Sequence, residues 1–268
     1  MKAVKLHFGC PVRAGVPGIG LEGASCIFPS TTLFGALATA LAECEEDVPG
    51  FIEMVEKGRL EFSSCFPFIG ERLLTCQPCF NPSPSKLIEL KELENLKQHP
   101  ETGWDENEFI VDIPKVSLDR ESRSSTIYYT SAAYVRNGGL YFLVRGDLKP
   151  VETALRYLRE EGIGGKRSWG MGALTEYEIE KVSLKTEGNV YMTLSACVPA
   201  KKDSLLYWKP YTRGGWSCDG RAKPKLVYAA EGSVFREMDR GRIIRVGDVY
   251  IYALSFLIPL PLEGENEA

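Results

Sequence analysis

The first eight residues alternate in character. Val4, Leu6 and Phe8 are separated by Lys5 and His7, the period of a strand with one buried face, so Met1–Phe8 is expected to be a β-strand. The period changes after Pro29. Leu33, Phe34, Leu37 and Leu41 recur at helical spacing, with Ser30 suited to the N-cap because its hydroxyl can accept a free first-turn amide. That helix is expected to end near Glu43, ahead of Glu45–Asp47 and Pro49. Arg59–Ser64 and Glu71–Cys76 read as short strands, and Phe80–Ser85 as irregular. Lys86–Gln98 has a weak helical period, and the polar Lys115–Ser125 reads as a mobile loop.

Two β-rich runs follow, Ile127–Val135 and Leu140–Val144, joined at Arg136-Asn137-Gly138-Gly139. Asn-Gly favours the positive φ values of a tight turn, which predicts a hairpin. Val151, Ala154, Leu155 and Leu158 then mark one face of a second helix, with Pro150 suited to its start and Gly162 to its C′ position. A strand over Gly172–Lys181 closes the series. The order is β-α-β-β-α-β with insertions, the split βαβ of an α+β, ferredoxin-like (RRM-type) domain over residues 1–182. Residues 183–268 hold further strand-like runs at Val190–Cys197, Lys225–Ala230, Arg242–Val246 and Val249–Leu257. No strong helix appears there, so a second, β-rich or degenerate ferredoxin-like domain is expected.

Composition narrows the class. No run approaches the roughly 18 apolar residues of a membrane span, and the start is too short and polar for a signal peptide. A soluble cytoplasmic protein is expected. Its eight cysteines then read as reduced thiols. The net charge of −4 argues against a polyanion partner until it is divided. Residues 1–134 carry 12 basic and 19 acidic side chains, residues 135–268 carry 20 and 17, and the stretch 201–245 carries 11 and 5. Local patches decide where a polyanion docks.

The segment Gly162-Ile163-Gly164-Gly165-Lys166-Arg167-Ser168-Trp169-Gly170-Met171-Gly172 concentrates the chemistry. Five glycines in eleven residues allow positive φ and close backbone approach. Successive amides can form a concave anion site, Lys166 and Arg167 add charge, Ser168 a donor, and Trp169 a stacking face. Arg167 excludes two nucleotide motifs. A Walker A loop needs Ser or Thr directly after Gly-Lys, and G-x-G-x-x-G counted from Gly162 needs glycine at that position. The loop also runs from helix to strand, the reverse of both. A plain flexible connection would not need five glycines beside two cations.

This loop resembles the glycine-rich loop of CRISPR-associated RAMP proteins. Phe28-Pro29-Ser30-Thr31-Thr32-Leu33-Phe34-Gly35-Ala36 is similar to the first-helix signature of one branch of them, the fourth subunits of type III-A (Csm) effector complexes. Ile113-Pro114-Lys115-Val116-Ser117-Leu118-Asp119-Arg120 resembles that branch's central loop. Arg213-Gly214-Gly215-Trp216 with Glu231-Gly232-Ser233-Val234-Phe235 resembles its C-terminal domain. The resemblance implies a non-catalytic, RNA-binding subunit with no cofactor. It would hold the 5′ handle of crRNA, contact the large Cas subunit and a neighbouring backbone RAMP subunit, and meet target RNA only indirectly. Handle contacts would fall to Arg13, Ser30, Gly164, Gly165, Lys166, Arg167, Ser168 and Trp169. Lys115, Arg120 and Arg123 would lie against the guide–target duplex, and Arg213 and Arg221 would extend the groove. The chain departs from the family in two places: Glu43–Asp112 matches no motif, and Arg13 stands where the family carries histidine.

Other constellations are weaker. Cys76-x-x-Cys79 has metal-ligand spacing, but only Cys65 and His99 are near, and zinc takes four ligands; free thiols are expected. His99 is expected to be solvated. Scattered Asp112, Asp119 and Asp147 do not make a two-metal site. Lys201, Lys202, Lys209, Arg213, Arg221, Lys223 and Lys225 interleave with Tyr207, Trp208, Tyr211 and Trp216, a pattern suited to phosphate contact and stacking. Two rivals remain: a RAMP endoribonuclease processing precursor crRNA with His7 as general base, and a scaffold whose loop binds only protein.

Overall fold

Strand β1 (Lys2–Phe8) forms where the alternation predicts it, and its two faces divide the molecule. The computed structural model describes residues 1–16, 18–80, 86–95, 103–121, 123–216 and 220–261. After β1 come helix α1 (Ser30–Glu43), helix α2 (Val48–Glu56), β2 (Leu60–Phe62), β3 (Phe66–Ile69) and β4 (Arg72–Cys76). Next are β5 (Lys86–Glu89), β6 (Trp104–Asp105), β7 (Ile110–Leu118), β8 (Ser125–Ala133) and β9 (Gly138–Gly146). Helix α3 (Lys149–Glu161) and β10 (Leu174–Lys181) complete this part. Among the described residues the elements that follow are strands apart from a 3-10 turn at Lys202–Ser204: β11 (Val190–Thr193), β12 (Leu205–Tyr207), β13 (Pro210–Trp216) and β14 (Ala222–Ala229). They continue with β15 (Val234–Phe235), β16 (Gly241–Val246), β17 (Val249–Leu254) and β18 (Leu257–Leu260).

The main sheet is ordered β10-β1-β9-β3-β4-β5-β6, with β2 also paired to β9. Val4 and Leu6 of β1 turn to one face with Leu140, Phe142 and Val144 of β9, where α1 contributes Leu33, Phe34, Leu37 and Leu41 and α3 contributes Val151, Leu155 and Leu158. Ala3 turns to the other face with Phe66, Phe68, Tyr141 and Leu143, covered by Val190, Met192, Ile258 and Leu260 of β11 and β18. Strand β9 is therefore buried on both sides, which is why Leu140–Val144 is continuously apolar rather than alternating.

Several expectations change. Ser30 is the first residue of α1, not its cap. Pro29 takes the N-cap position, and its carbonyl accepts the amides of Thr32 and Leu33 at 2.8 and 3.0 Å. Phe28 and Cys65 exchange backbone bonds of 2.9 and 2.7 Å, so the chain enters the helix already extended, and the Ser30 amide is satisfied by Ser64 Oγ at 2.9 Å. Helix α2 arises where a break was expected: Asp47 caps it by accepting the Gly50 amide at 2.9 Å, and Pro49 sits in the first turn, where it costs no hydrogen bond.

Among the described residues, Lys86–Asn95 is not an α-helix. It begins with β5, paired to β4, and continues as the 3-10 turn Leu90–Asn95. The expected hairpin between Ile127–Val135 and Leu140–Val144 does not form either. Burial draws β9 between β1 and β2/β3, and β8 pairs instead with β7. Most of the expected loop Lys115–Ser125 belongs to that long β7–β8 hairpin. The expectations for Asn81–Ser85, for residues 96–98 and for His99 lie outside the described residues.

Candidate nucleic-acid interface

Helix α3 stops at Gly162, whose φ of +77° ends the helical path while its amide still donates to Leu158 O at 2.8 Å. The following loop is clamped at its base. Ile163 donates to Gly172 O at 2.8 Å, Gly165 to Arg13 O at 2.9 Å, and Gly172 to Pro11 O at 2.9 Å. Two glycines are required by close approach. A Cβ on Gly172 would lie 1.9 Å from Ile163 O, and one on Gly164 2.9 Å from Arg13 O. These bonds consume amides in holding the loop to the segment after β1, so less of the backbone is left for an outside anion than the glycine content implies.

What projects is the tip. Lys166 adopts φ +60°, and Arg167–Trp169 form a 3-10 turn whose side chains are exposed. The Lys166 ammonium lies 4.2 Å from the Trp169 ring centroid. Lys115, from β7, reaches the same ring at 5.7 Å. The fold thus brings together a loop cation, an aromatic face and a hairpin cation from a distant part of the chain. Arg167 is 4.0 Å from Glu161, an exposed pair of little energetic weight that leaves the guanidinium free to exchange partners.

A groove of about 750 Å³ runs beside this tip, lined among others by Thr31, Thr32, Gly164, Arg167, Arg213 and Trp216. It joins the N-terminus of α1, the glycine loop and the β13–β14 hairpin. The positive end of the α1 dipole opens here, with no acidic side chain in its first turn to neutralise it. Arg213 Nη2 donates to Thr32 Oγ1 at 2.5 Å, anchoring the hairpin over the helix start. Lys223 adds a further cation to the wall, and Trp216 is 74% exposed, presenting a free stacking face. Glu43 and Glu161 also line the groove, so its wall carries both signs of charge.

The expected contact residues fall into distinct places. Gly164, Arg167 and Arg213 line the groove, while Gly165, Lys166, Ser168 and Trp169 form the exposed tip beside it, with Lys115 against Trp169. Arg120 and Arg123 are exposed between β7 and β8, and Arg221 is exposed just before β14. Two residues depart from the expectation of a surface contact. Ser30 is fully buried. Arg13 is only 6% exposed, and its guanidinium donates to the carbonyls of Ser131, Gly20 (2.7 Å) and Gly23 (3.1 Å). Burial holds its pKa below the ordinary arginine value. Residue type and motif position, on which both expectations rest, do not report burial. Thr31 and Thr32, adjacent to Ser30 in the same signature, are the residues that reach the groove.

The remaining constellations lie elsewhere. Cys76 and Cys79 flank Gly232, and burial pushes both thiols above their usual pKa. Among the described residues no three His, Cys, Asp or Glu side chains are placed to hold a metal ion. His7 sits in a separate recess, with Nε2 3.6 Å from Glu178 and its ring edge-on to Phe68. Among the described residues no helix is long and apolar enough to cross a membrane.

Comparison with known proteins agrees with this architecture. A family model described as the RAMP superfamily matches residues 6–175. A CRISPR system protein Csm4 from Thermococcus onnurineus (strain NA1) is 32% identical over 272 residues, covering 87% of this chain and 90% of the relative. In fold, the chain is similar to a Csm1–Csm4 cassette solved in complex with cA4 (TM-score 0.69, 23% identity, 98% and 99% of the two chains). It is also similar to a Csm3–Csm4 subcomplex of a type III-A CRISPR-Cas interference complex (TM-score 0.65, 17% identity, 98% and 100%). The glycine loop after α3, the signature at the start of α1 and a match over most of the chain converge: this chain belongs to the RAMP superfamily and, within it, to the Csm4 family of CRISPR Csm complex subunits.

Proposed function

We propose that the chain is a non-catalytic, cytoplasmic RNA-binding subunit of a type III-A effector complex, holding the 5′ handle of crRNA in the groove between α1, the glycine loop and β13–β14. The observation that carries this reading is the convergence of Lys166, Lys115 and Trp169 beside a groove lined by Arg167 and Arg213. Cations flanking an exposed aromatic suit a single strand, whose phosphates need charge and whose bases stack. The strand order β10-β1-β9-β2, with α1 and α3 on one face, supports a ferredoxin-like arrangement of the first part. Gly165 and Gly172 hold the loop by their amides, so Lys166 and Arg167 act as the phosphate ligands and the backbone acts as their mount. Arg120 and Arg123, at the end of the β7–β8 hairpin, lie against the guide–target duplex. A large Cas subunit and a backbone RAMP subunit are the protein neighbours, as the names of the similar Csm1–Csm4 and Csm3–Csm4 structures suggest.

The test is a salt series with handle-bearing RNA. Replacing Lys166 and Arg167 by Ala weakens binding. Because two phosphates are then no longer neutralised, it also flattens the slope of log K against log salt by roughly 1.4 for a single strand. An unchanged slope removes these two residues from the interface. The endoribonuclease reading has less support, because the recess around His7 shares no lining residue with the groove. Site-specific cleavage of repeat RNA in EDTA, abolished by His7→Ala, would establish it instead.

A further inference from the structure

Strand β10 stands at the end of the main sheet and pairs only with β1, so among the described residues its outer edge is open. It is eight residues long, contains no proline, and its single register shift lies at its N-terminal end, opposite His7 and Phe8. An edge this regular offers unpaired amides and carbonyls to another chain. Its side chains divide by face. Tyr177 and Ile179 pack on the main core. Glu176, Glu178 and Glu180 point to the opposite face, in register with His7, Lys5 and Ala3 of β1.

That face is acidic and hollow. Lys5 is buried and paired with Glu180 at 2.9 Å and Glu71 at 3.4 Å, which uses its single charge. Beside it lies a recess of about 420 Å³ lined by Lys5, His7, Phe68, Glu71, Tyr134 and Glu178. His7 Nε2 is buried in it without a hydrogen-bond partner.

We propose that the β10 edge docks an extended, basic segment of a protein subunit assembled with this chain, which adds as a further strand and places an arginine at the mouth of the recess. Main-chain hydrogen bonds along the edge supply affinity, and side chains at alternate positions supply specificity. The carboxylates of Glu176, Glu178 and Glu180 recur about every 7 Å along one face, the spacing at which alternate residues of an added strand present their cations. Arginine fits the recess better than lysine. Its planar group can pair with Glu178 and lie over Tyr134. The same carboxylates repel phosphates, so the occupant is a protein segment and not RNA. The proposal is independent of the RNA groove, which lies on other elements.

Hydrogen exchange of the full chain, alone and assembled with its co-expressed subunits, tests it. Amides within Thr175–Lys181 should slow at least tenfold on assembly. Glu176→Lys with Glu178→Lys should weaken assembly at least tenfold while leaving RNA affinity and melting temperature unchanged. Unaltered exchange along β10 in the assembled complex overturns the proposal, making the glutamates simple guards against edge pairing. Wild-type assembly by the charge-reversed chain overturns it too. Should that variant fail to fold, the exchange comparison on the native chain decides alone.

Discussion

At the scale of single residues, chemistry and accessibility part company. Arg13 is cationic and adjacent to the loop. Its guanidinium nonetheless ties the segment Gly20–Gly23 to Ser131 of β8, while its carbonyl holds the Gly165 amide. Arg13 is thus a mount for the loop. Arg13→Ala is expected to lower stability by about 3 kcal/mol, since charged hydrogen bonds disappear and buried carbonyls are left unmet; urea unfolding measures it. Arg13→Lys should rescue little, because one ammonium cannot reach carbonyls in separate directions. The exposure of Lys166, Arg167 and Trp169 was legible from sequence because loop cations and aromatics flanked by glycines have no core to enter. Burial of Ser30 was not legible, because Ser64, which accepts its amide, lies 34 residues away between β2 and β3.

At the scale of elements, local period succeeded where one element supplies its own pattern. β1, α1 and α3 lie close to the ranges read from alternation and helical spacing. It failed where pairing decides. Lys115–Ser125 reads as a polar loop because Val116 and Leu118 are its only apolar residues, yet its first four residues form a strand because β8 supplies a ladder for them. Asn137 does adopt a positive φ of 57°, but the turn connects to a different partner than expected. Elements can also be joined by one buried acid. Asp239 accepts the amides of Ala200, Lys201 and Gly241 at 2.8–3.0 Å and the hydroxyl of Ser204 at 2.7 Å. Burial alone would raise its pKa; those hydrogen bonds prevail and hold it below the usual value. A carboxyl lowered by folding contributes stability above its unfolded pKa, and the contribution is lost as pH falls through the folded one. Asp239→Asn is therefore expected to cost roughly 2 kcal/mol at pH 7, the deficit shrinking in acid. Urea midpoints at pH 7 and pH 3.5 measure both.

At the scale of the whole molecule, the strands after residue 183 complete the first part as well as following it. Met192, Phe256 and Ile258 cover the sheet face that holds Phe66 and Phe68, and Tyr252, whose hydroxyl donates to Phe62 O at 2.9 Å, enters the core under α1. A chain cut after residue 182 would expose this apolar face and is expected to aggregate; light scattering and solubility on expression would show it, and a monodisperse fragment would contradict it. The groove depends on the same packing, since Arg213 and Thr32 meet only when β13–β14 lies over α1. By itself the sequence determined the local periods, the glycine loop with its exposed cations, the excluded nucleotide motifs and the family resemblance, because each is written within a short stretch of chain. Only the tertiary structure decided which strands pair, that Arg13 and Ser30 are buried, and that Lys115 meets Trp169, because those outcomes depend on partners distant in sequence competing for the same buried surface.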